Sequence, residues 1–434
     1  MGTGKPVQGF IETIIHSSDL PSKDRQLAVM LVTGVLRRQE YLDLIISRFS
    51  STKLRKMKPL TLAALRVGVL QICLLDRIPV SAAVNETVAA LKKMRQPPWL
   101  LGFVNATLRN IAKKKDSLPP PEHAGPNGEP TLDHPDWLCT RWTNQLGQEM
   151  TQAICQINNQ ESELCLRANP LYIESSGLIN LLSQEGIQAR PGQYAPDSLC
   201  IENYRGAINN LPGFVEGKFH VQDQAAQLAC HLLGPFQKQG RYLDACAGLG
   251  GKTCTVASLL PQNASLQAVD PDNRRIQLLK ENLEREGLAE RTEIFHGTLE
   301  EFALSNPGKF TAILVDAPCS GTGVIRKHPD IRWNRKHYDF AEYQAKQLAL
   351  LHTAAKLLCS GGVLVYATCS IEPEENHEVV EQFLGSATGF ITTNCQEFLP
   401  KAAAPLVDRH GFFAPLPGPE IEGFFAARLI YQGF

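Results

Sequence analysis

Arg241-Tyr242-Leu243-Asp244-Ala245-Cys246 reads as a strand that leads into Ala247-Gly248-Leu249-Gly250-Gly251-Lys252-Thr253, and a helical pattern continues from there to Leu260. A strand feeding a glycine-rich turn that opens a helix is the first unit of an open α/β sheet. The glycines let the backbone approach a ligand at the positive end of the helix. The alternation then repeats. Residues 266–269 read as a second strand ending at Asp270, 274–287 as an amphipathic helix, and 293–295 as a third strand. An apolar run at 311–315 precedes Asp316, a helix is expected over 338–359, and a last apolar run at 363–366 precedes Ala367-Thr368. Five βα-type units of this kind predict a mostly parallel, doubly wound sheet with right-handed crossovers.

Two of those strands end in cysteine-bearing loops: Asp316-Ala317-Pro318-Cys319-Ser320-Gly321-Thr322-Gly323, and Ala367-Thr368-Cys369-Ser370. Loops at the carboxyl ends of parallel strands are where such sheets bind and react. Two thiols on one rim suit the alkylation of a carbon that is not itself nucleophilic, and C5 of cytosine is such a carbon. A soft nucleophile must first add to C6, after which C5 becomes enamine-like and accepts a methyl group. The bland alternative is a pair of buried structural thiols, which is the default reading for the other ten cysteines. Asp270, at a strand end, is placed to accept hydrogen bonds from ribose hydroxyls, although a helix cap would use the same residue type. A glycine loop with an acidic residue fits a dinucleotide or S-adenosylmethionine, and the cysteines favour the second because hydride transfer does not use them. There is no GxxxxGK[ST] spacing, which argues against a phosphate-binding P-loop.

Composition sets outer limits. The chain has 434 residues, 43% of them apolar, enough for two or three domains. No uncharged apolar stretch approaches the length of about 18 residues that a membrane span needs, and Met1-Gly2-Thr3-Gly4-Lys5-Pro6 lacks a signal-peptide pattern. The twelve cysteines contain no CxxC pair, so structural zinc and disulfides are not expected and a reduced cytoplasm is. The net charge of −1 conceals an asymmetry: residues 1–115 hold 19 Lys and Arg against 7 Asp and Glu, and the remainder hold 24 against 37. A basic module joined to an acidic one makes the first 115 residues the natural face for a polyanion, or else a solvated basic helix surface.

Organisation follows the charge. Residues 24–115 show helical spacing, with starts at Asp24-Arg25, within 60–75, at Ser81-Ala82 and at Gly102-Phe103. Residues 118–130, rich in Pro and Gly, read as a linker after Lys113-Lys114-Lys115. A helix over 136–157, an edge strand at 164–170, a helix at 177–185 and short strands within 187–208 suggest a small α+β domain. The domains are therefore expected at 1–117, 135–217 and 218–434, with 118–134 between the first two.

At this point the residues match a family. The chain resembles the bacterial 16S rRNA cytosine-C5 methyltransferases of the RsmB/Sun/Fmu type. The likeness is carried by Gly34-Val35-Leu36-Arg37, Ala82-Ala83-Val84-Asn85-Glu86 and Phe103-Val104-Asn105-Ala106-Thr107-Leu108-Arg109 in the helical part. In the remainder it is carried by Phe219-His220-Val221-Gln222-Asp223-Gln224 as entry to the catalytic core, by Asp244 to Thr253 as cofactor loop, by Asp316 to Trp333, and by Gly423-Phe424-Phe425-Ala426-Ala427-Arg428-Leu429 as closing strand. The resemblance implies an α/β Rossmann-like S-adenosylmethionine-dependent methyltransferase core, preceded by an all-α NusB-like RNA-binding domain and a small α+β intermediate domain. It implies that Cys369 is the nucleophile, that Cys319 assists product release, and that Asp316 hydrogen-bonds the cytosine N3/N4 edge near the methyl donor. A DNA cytosine methyltransferase would use a Pro-Cys loop alone, and an exocyclic-amine methyltransferase an Asp/Asn-Pro-Pro-aromatic loop with no thiol.

The cofactor residues carried over are Cys246, Ala247, Gly248, Leu249, Gly250, Gly251, Lys252, Asp270, Thr298 and Asp316, with no metal. The implied partner is 16S rRNA free of ribosomal proteins, the implied target cytosine 967, and the implied state a cytoplasmic monomer. Arg326, Lys327, Arg332 and Lys113-Lys114-Lys115 are candidate phosphate contacts. The chain departs from the family where Gly248-Leu249 replaces alanine-proline and Gly297-Thr298 replaces a Gly-Asp pair, which implies a looser turn and weaker adenine recognition. The first helix of the bundle is expected to be short or absent.

Overall fold

The computed structural model describes residues 20–433 except 203 and 307. The expectation about the first helix of the bundle falls on residues 1–19, outside the described residues. The chain forms two compact units: Met1–Glu161 with Ile325–Asn334, and Ser162–Val324 with Arg335–Phe434.

The first unit is helical. Ser22–Arg37, Gln39–Phe49, Pro59–Leu74, Val80–Lys93 and Pro98–Lys113 form the bundle. Its core holds Leu42, Ile45, Leu65, Val69, Val84, Val104, Leu108 and Ile111. Pro59 and Pro98 begin their helices, where a missing N–H costs nothing. Gln39–Phe49, unread in sequence, is separated from the helix before it by Arg38 alone. The Pro/Gly-rich stretch lies on this bundle: Tyr41 Oη donates to the Pro119 carbonyl at 3.2 Å, and Pro121 and Ala124 are buried. The expected helix over 136–157 is two helices, Asp136–Leu146 and Gln148–Asn158, because Gly147 adopts φ +83° between them.

In the second unit a four-stranded antiparallel sheet runs in the order β2 (Ala189–Pro191), β3 (Ser198–Ile201), β1 (Leu164–Ala168), β4 (Phe219–Val221). The strand expected at an edge, β1, is central and pairs with both β3 and β4. Pro170 stops it without excluding a neighbour. Phe219–Val221, which the resemblance places at the entry to the catalytic core, forms the edge strand of this small sheet.

The seven-stranded sheet runs β10 (Phe390–Thr393), β11 (Phe425–Tyr431), β9 (Leu358–Thr368), β8 (Phe310–Asp316), β5 (Arg241–Asp244), β6 (Ser265–Asp270), β7 (Thr292–His296). Strands β5 to β9 are parallel, and β10 and β11 antiparallel. Alternation along each buried strand divides the core between the two faces. Tyr242, Ala312, Leu314, Val365 and Ala367 pack with Leu228, Cys254, Val256 and Leu279. Leu243, Ile313, Val315, Leu364 and Tyr366 pack with Phe302, Leu351, Val379 and Phe383. The helix expected over 338–359 is Asp339–Ala355, since Leu358 already belongs to β9. Strand order reverses between β5 and β8, and the crevice at such a reversal is where ligands sit.

Candidate functional site

Register sets the thiols side by side. Asp316 and Ala367 are partners at the ends of β8 and β9, so the loops carrying Cys319 and Cys369 leave the sheet level with each other. The two Sγ atoms are 3.1 Å apart, and all twelve cysteines are free thiols. Gly323 N–H donates to the Cys369 carbonyl at 3.0 Å. A Cβ on Gly323 would meet the Gly423 carbonyl oxygen at 2.2 Å, so only glycine fits where these two segments touch.

A buried carboxylate fastens both loops. Glu375 Oε1 accepts the Ser320 N–H at 2.8 Å and Gln347 Nε2–H at 3.2 Å. Its Oε2 accepts Ser370 Oγ–H at 2.6 Å and also the Ser320 hydroxyl. Gln347 Nε2 also donates to the Pro318 carbonyl, at 3.0 Å. Each thiol is therefore followed by a serine held on one carboxylate. Burial pushes the Glu375 carboxyl above its usual range, against the pull of the Ser320 and Ser370 hydroxyls. Sequence reading missed this residue: Glu372-Pro373-Glu374-Glu375 looks like a solvated acidic run, yet Glu372 and Glu375 are fully buried.

The electrostatics of the two thiols differ. The Cys319 thiol is held well above its ordinary value by its hydrogen bond with Cys369, by burial and by the Glu375 and Asp316 carboxylates. Lys252 supplies the neighbouring cation, with Nζ 2.7 Å from Asp316 Oδ2. Burial alone would depress the Lys252 ammonium, but the charge of Asp316 outweighs burial and leaves it above its ordinary value, and Cys369 lies within the same field. A protonated Cys319 can donate to the second sulfur.

The glycine turn after β5 is made largely of backbone. Gly248 and Gly250 adopt φ +56° and +92°, and Gly250 is the left-handed residue before the helix Gly251–Leu259. A Cβ on Gly248 would meet nothing within 4 Å, and Leu249 is 54% exposed, so the turn faces open space. Asp270 Oδ2 accepts the Gly248 N–H at 3.0 Å, and its Oδ1 accepts the Asp272 N–H at 2.8 Å. The helix cap is Asp272, which accepts from Arg275 N–H, so Asp270, 3% exposed and 3.6 Å from Arg275 Nη1, braces the turn. Asp244, beneath the loop, accepts from Thr253 Oγ1–H at 2.7 Å, and burial pushes its carboxyl up to about 6. Most amides of this turn are already used: Cys246 N–H donates to Asp244 Oδ1, Ala247 N–H to the Val269 carbonyl, Gly248 N–H to Asp270 Oδ2 and Gly250 N–H to the Ala247 carbonyl, so the turn is an open, internally braced loop beside a carboxylate. Lys252, carried over as a cofactor residue, donates to Asp316, another residue of that set. Thr298 caps the helix Leu299–Ser305 in a reciprocal box with Glu301, so its oxygen already accepts one N–H.

Two phosphate-contact candidates do not survive. Arg332 is fully buried, donating to the Asp133 carbonyl at 2.9 Å, Asn159 Oδ1 at 2.6 Å and the Asn158 carbonyl at 2.8 Å. Burial pushes its guanidinium down to about 9. Arg326 is 5% exposed and donates twice to the Glu161 carbonyl. Both arginines hold Ile325–Asn334 in the helical unit. Lys113 and Lys114 are exposed and Lys115 half-buried. Among the described residues one trio, His220, Cys254 and Glu286, brings metal-ligating atoms within 4.8 Å of one another. Glu286 is ion-paired to Arg167 at 2.7 Å and Arg285 at 3.1 Å, and two cations there disfavour a metal.

Comparisons agree with this architecture. A family model described as 16S rRNA methyltransferase RsmB/F matches residues 231–430, the NusB family matches 3–113, and a Methyltr_RsmF/B-like, ferredoxin-like domain matches 134–207. A Proteus mirabilis protein named ribosomal RNA small subunit methyltransferase B is 38% identical over 371 residues, 85% of each chain. A Bacillus subtilis protein named probable ribosomal RNA small subunit methyltransferase B is 31% identical over 98% of this chain and 94% of its own. The crystal structure of a methyltransferase homolog protein from Pyrococcus horikoshii has a TM-score of 0.58 and 27% identity, covering 69% of this chain and 96% of that one.

Proposed function

The chain belongs to the 16S rRNA methyltransferase RsmB/F family, and on that premise we propose that it methylates C5 of one cytosine in 16S rRNA through a covalent bond from Cys369 Sγ to C6 of the base. It is an S-adenosylmethionine-dependent rRNA methyltransferase. When bound, the cofactor supplies an electrophilic methyl group, and the Cys246–Gly251 turn with Asp270 holds it.

The residues of the rim divide the remaining work. Cys369 adds as thiolate to C6, and the ring electrons move toward C5. Asp316 Oδ1, whose partner oxygen Oδ2 is held by Lys252, accepts from the exocyclic amine and fixes the cytosine edge. After methylation the C5 proton leaves to a base, its bonding pair re-forms the C5–C6 double bond, and the C6–S bond breaks with its pair on Cys369. Cys319, protonated and 3.1 Å away, donates to the departing sulfur. That separation, fixed by Glu375 through Ser320 and Ser370, is the observation that carries the reading. The family implies cytosine 967, in RNA free of ribosomal proteins, as the target.

The test is a 16S transcript incubated with enzyme and donor bearing a labelled methyl group, digested to nucleosides and mapped by position. The expected result is 5-methylcytidine at cytosine 967 and no other labelled nucleoside. Label in N4-methylcytidine or in uridine would overturn the proposed chemistry, and 5-methylcytidine elsewhere would overturn the target.

A further inference from the structure

Arg335, three residues after the buried Arg332, belongs to the catalytic unit and touches the thiol network only through the Ser320 carbonyl. Its Nε–H donates to the Ser320 carbonyl at 2.7 Å, so it is tied to the residue that follows Cys319. Its guanidinium carbon lies 5.5 Å from the centre of the Tyr343 ring. Neither Nη atom has a protein partner among the described residues, and the side chain is half-buried. Burial pushes the Tyr343 phenol above its ordinary value, and Arg335, Cys319, Glu375 and Asp339 are the charges it senses, which sets this ring beside the thiol rim.

The surroundings extend the feature outward. Lys346 is exposed, with its ammonium 5.8 Å from the same ring. Lys336 is exposed, 5.6 Å from the ring of Tyr338, itself 61% exposed. The two carboxylates of the segment are Asp339 and Glu342. Asp339 Oδ2 accepts the Lys336 backbone N–H at 3.0 Å, while the Lys336 ammonium pairs with the Tyr338 side chain. A guanidinium held by one backbone bond and one ring, with its planar Nη edge open, is preorganised for a phosphate oxygen pair. An exposed tyrosine beside it is a stacking face for an unpaired base.

We infer that Arg335 seats a backbone phosphate of the RNA strand beside the target nucleotide, with Tyr338 stacking a flanking unpaired base. This rests on the RNA methylation reading and adds the strand's path to it. Because Arg335 is bonded to Ser320, a phosphate held there has a fixed distance to the Cys319 sulfur, so the seat gauges how far a flipped cytosine reaches.

The experiment uses full-length enzyme and a fluorescent hairpin transcript carrying the target cytosine in its loop. Binding is measured by anisotropy across a salt series, alongside cofactor affinity by calorimetry and thermal midpoints. Arg335→Gln should raise the RNA Kd about tenfold and make the log–log salt slope shallower by about 0.7, one single-strand phosphate contact. Its cofactor affinity should be unchanged. Arg335→Lys should keep the slope with only a few-fold loss. Tyr338→Ala should weaken binding at an unchanged slope. A full wild-type slope in Arg335→Gln overturns the inference whatever happens to kcat, because it leaves Arg335 only as a brace for Ser320. A shallower slope in Arg335→Gln, together with a wild-type enzyme that fails to make 5-methylcytidine, would keep the seat and remove the proposed reaction, so the two readings fail separately.

Discussion

At the ends of β8 and β9 the proposed chemistry rests on side chains, each held by other side chains. Glu375 binds the serines that follow both thiols, and Asp316 is locked to Lys252. At the end of β5 the turn is built from backbone: two left-handed glycines, with amides tied to Asp244, Asp270 and the Val269 carbonyl. The difference predicts how each region tolerates change. A side-chain network loses function when one member is cut, because several donors lose their acceptor together. A backbone turn keeps its amides when side chains vary, which is how Gly248-Leu249 can stand where the family pattern has alanine-proline.

The largest effect that would sharpen this contrast is expected at Glu375. Glu375→Ala strips the acceptor from Ser320, Ser370 and Gln347. Each donor left unsatisfied in a buried site costs about 1–3 kcal/mol, and a loop displaced by about 1 Å can lower kcat about a hundredfold. Thermal unfolding and single-turnover kinetics would both register the change, with cofactor affinity held. Intact single-turnover rates in a folded Glu375→Ala enzyme would break the idea that this carboxylate sets the sulfur pair. Smaller changes are expected on the cofactor side, read by calorimetry. Asp270→Asn can accept only one of the Gly248 and Asp272 N–H groups through its single carbonyl oxygen. It should weaken cofactor binding about tenfold, about 1.4 kcal/mol. Thr298→Asp retains a good N-cap and adds an acceptor for an adenine amine. It should tighten the cofactor by no more than about threefold, with the melting midpoint unmoved. A larger penalty at Thr298 than at Glu375 would reverse the comparison.

The same contrast explains what the sequence disclosed. Strand-ending motifs such as Asp316 to Gly323 and Ala367 to Ser370 were legible because residue type and chemistry coincide there. So were the parallel sheet, its glycine turn and the helical bundle, which follow from periodicity. Arg332 and Arg335 show where legibility ends. Both are arginines in one basic stretch, yet one is enclosed by Asn158, Asn159 and Asp133 while the other reaches the thiol rim. Residues far apart in the chain make that difference, and local sequence does not encode it. Glu375 was missed for the same reason: its partners Ser320 and Gln347 meet it only once β8, β9 and the helix Asp339–Ala355 are assembled. The edge assignment of β1 failed because Pro170 marks the end of a strand and not its place in the sheet.

The central claim is that the two sulfurs 3.1 Å apart have different jobs. The direct test incubates Cys319→Ala and Cys369→Ala with the 16S transcript and donor bearing a labelled methyl group, followed by denaturing electrophoresis. Cys319→Ala should accumulate a labelled covalent protein–RNA adduct, and Cys369→Ala should give neither adduct nor methylated RNA. An adduct from Cys369→Ala and none from Cys319→Ala would contradict the account.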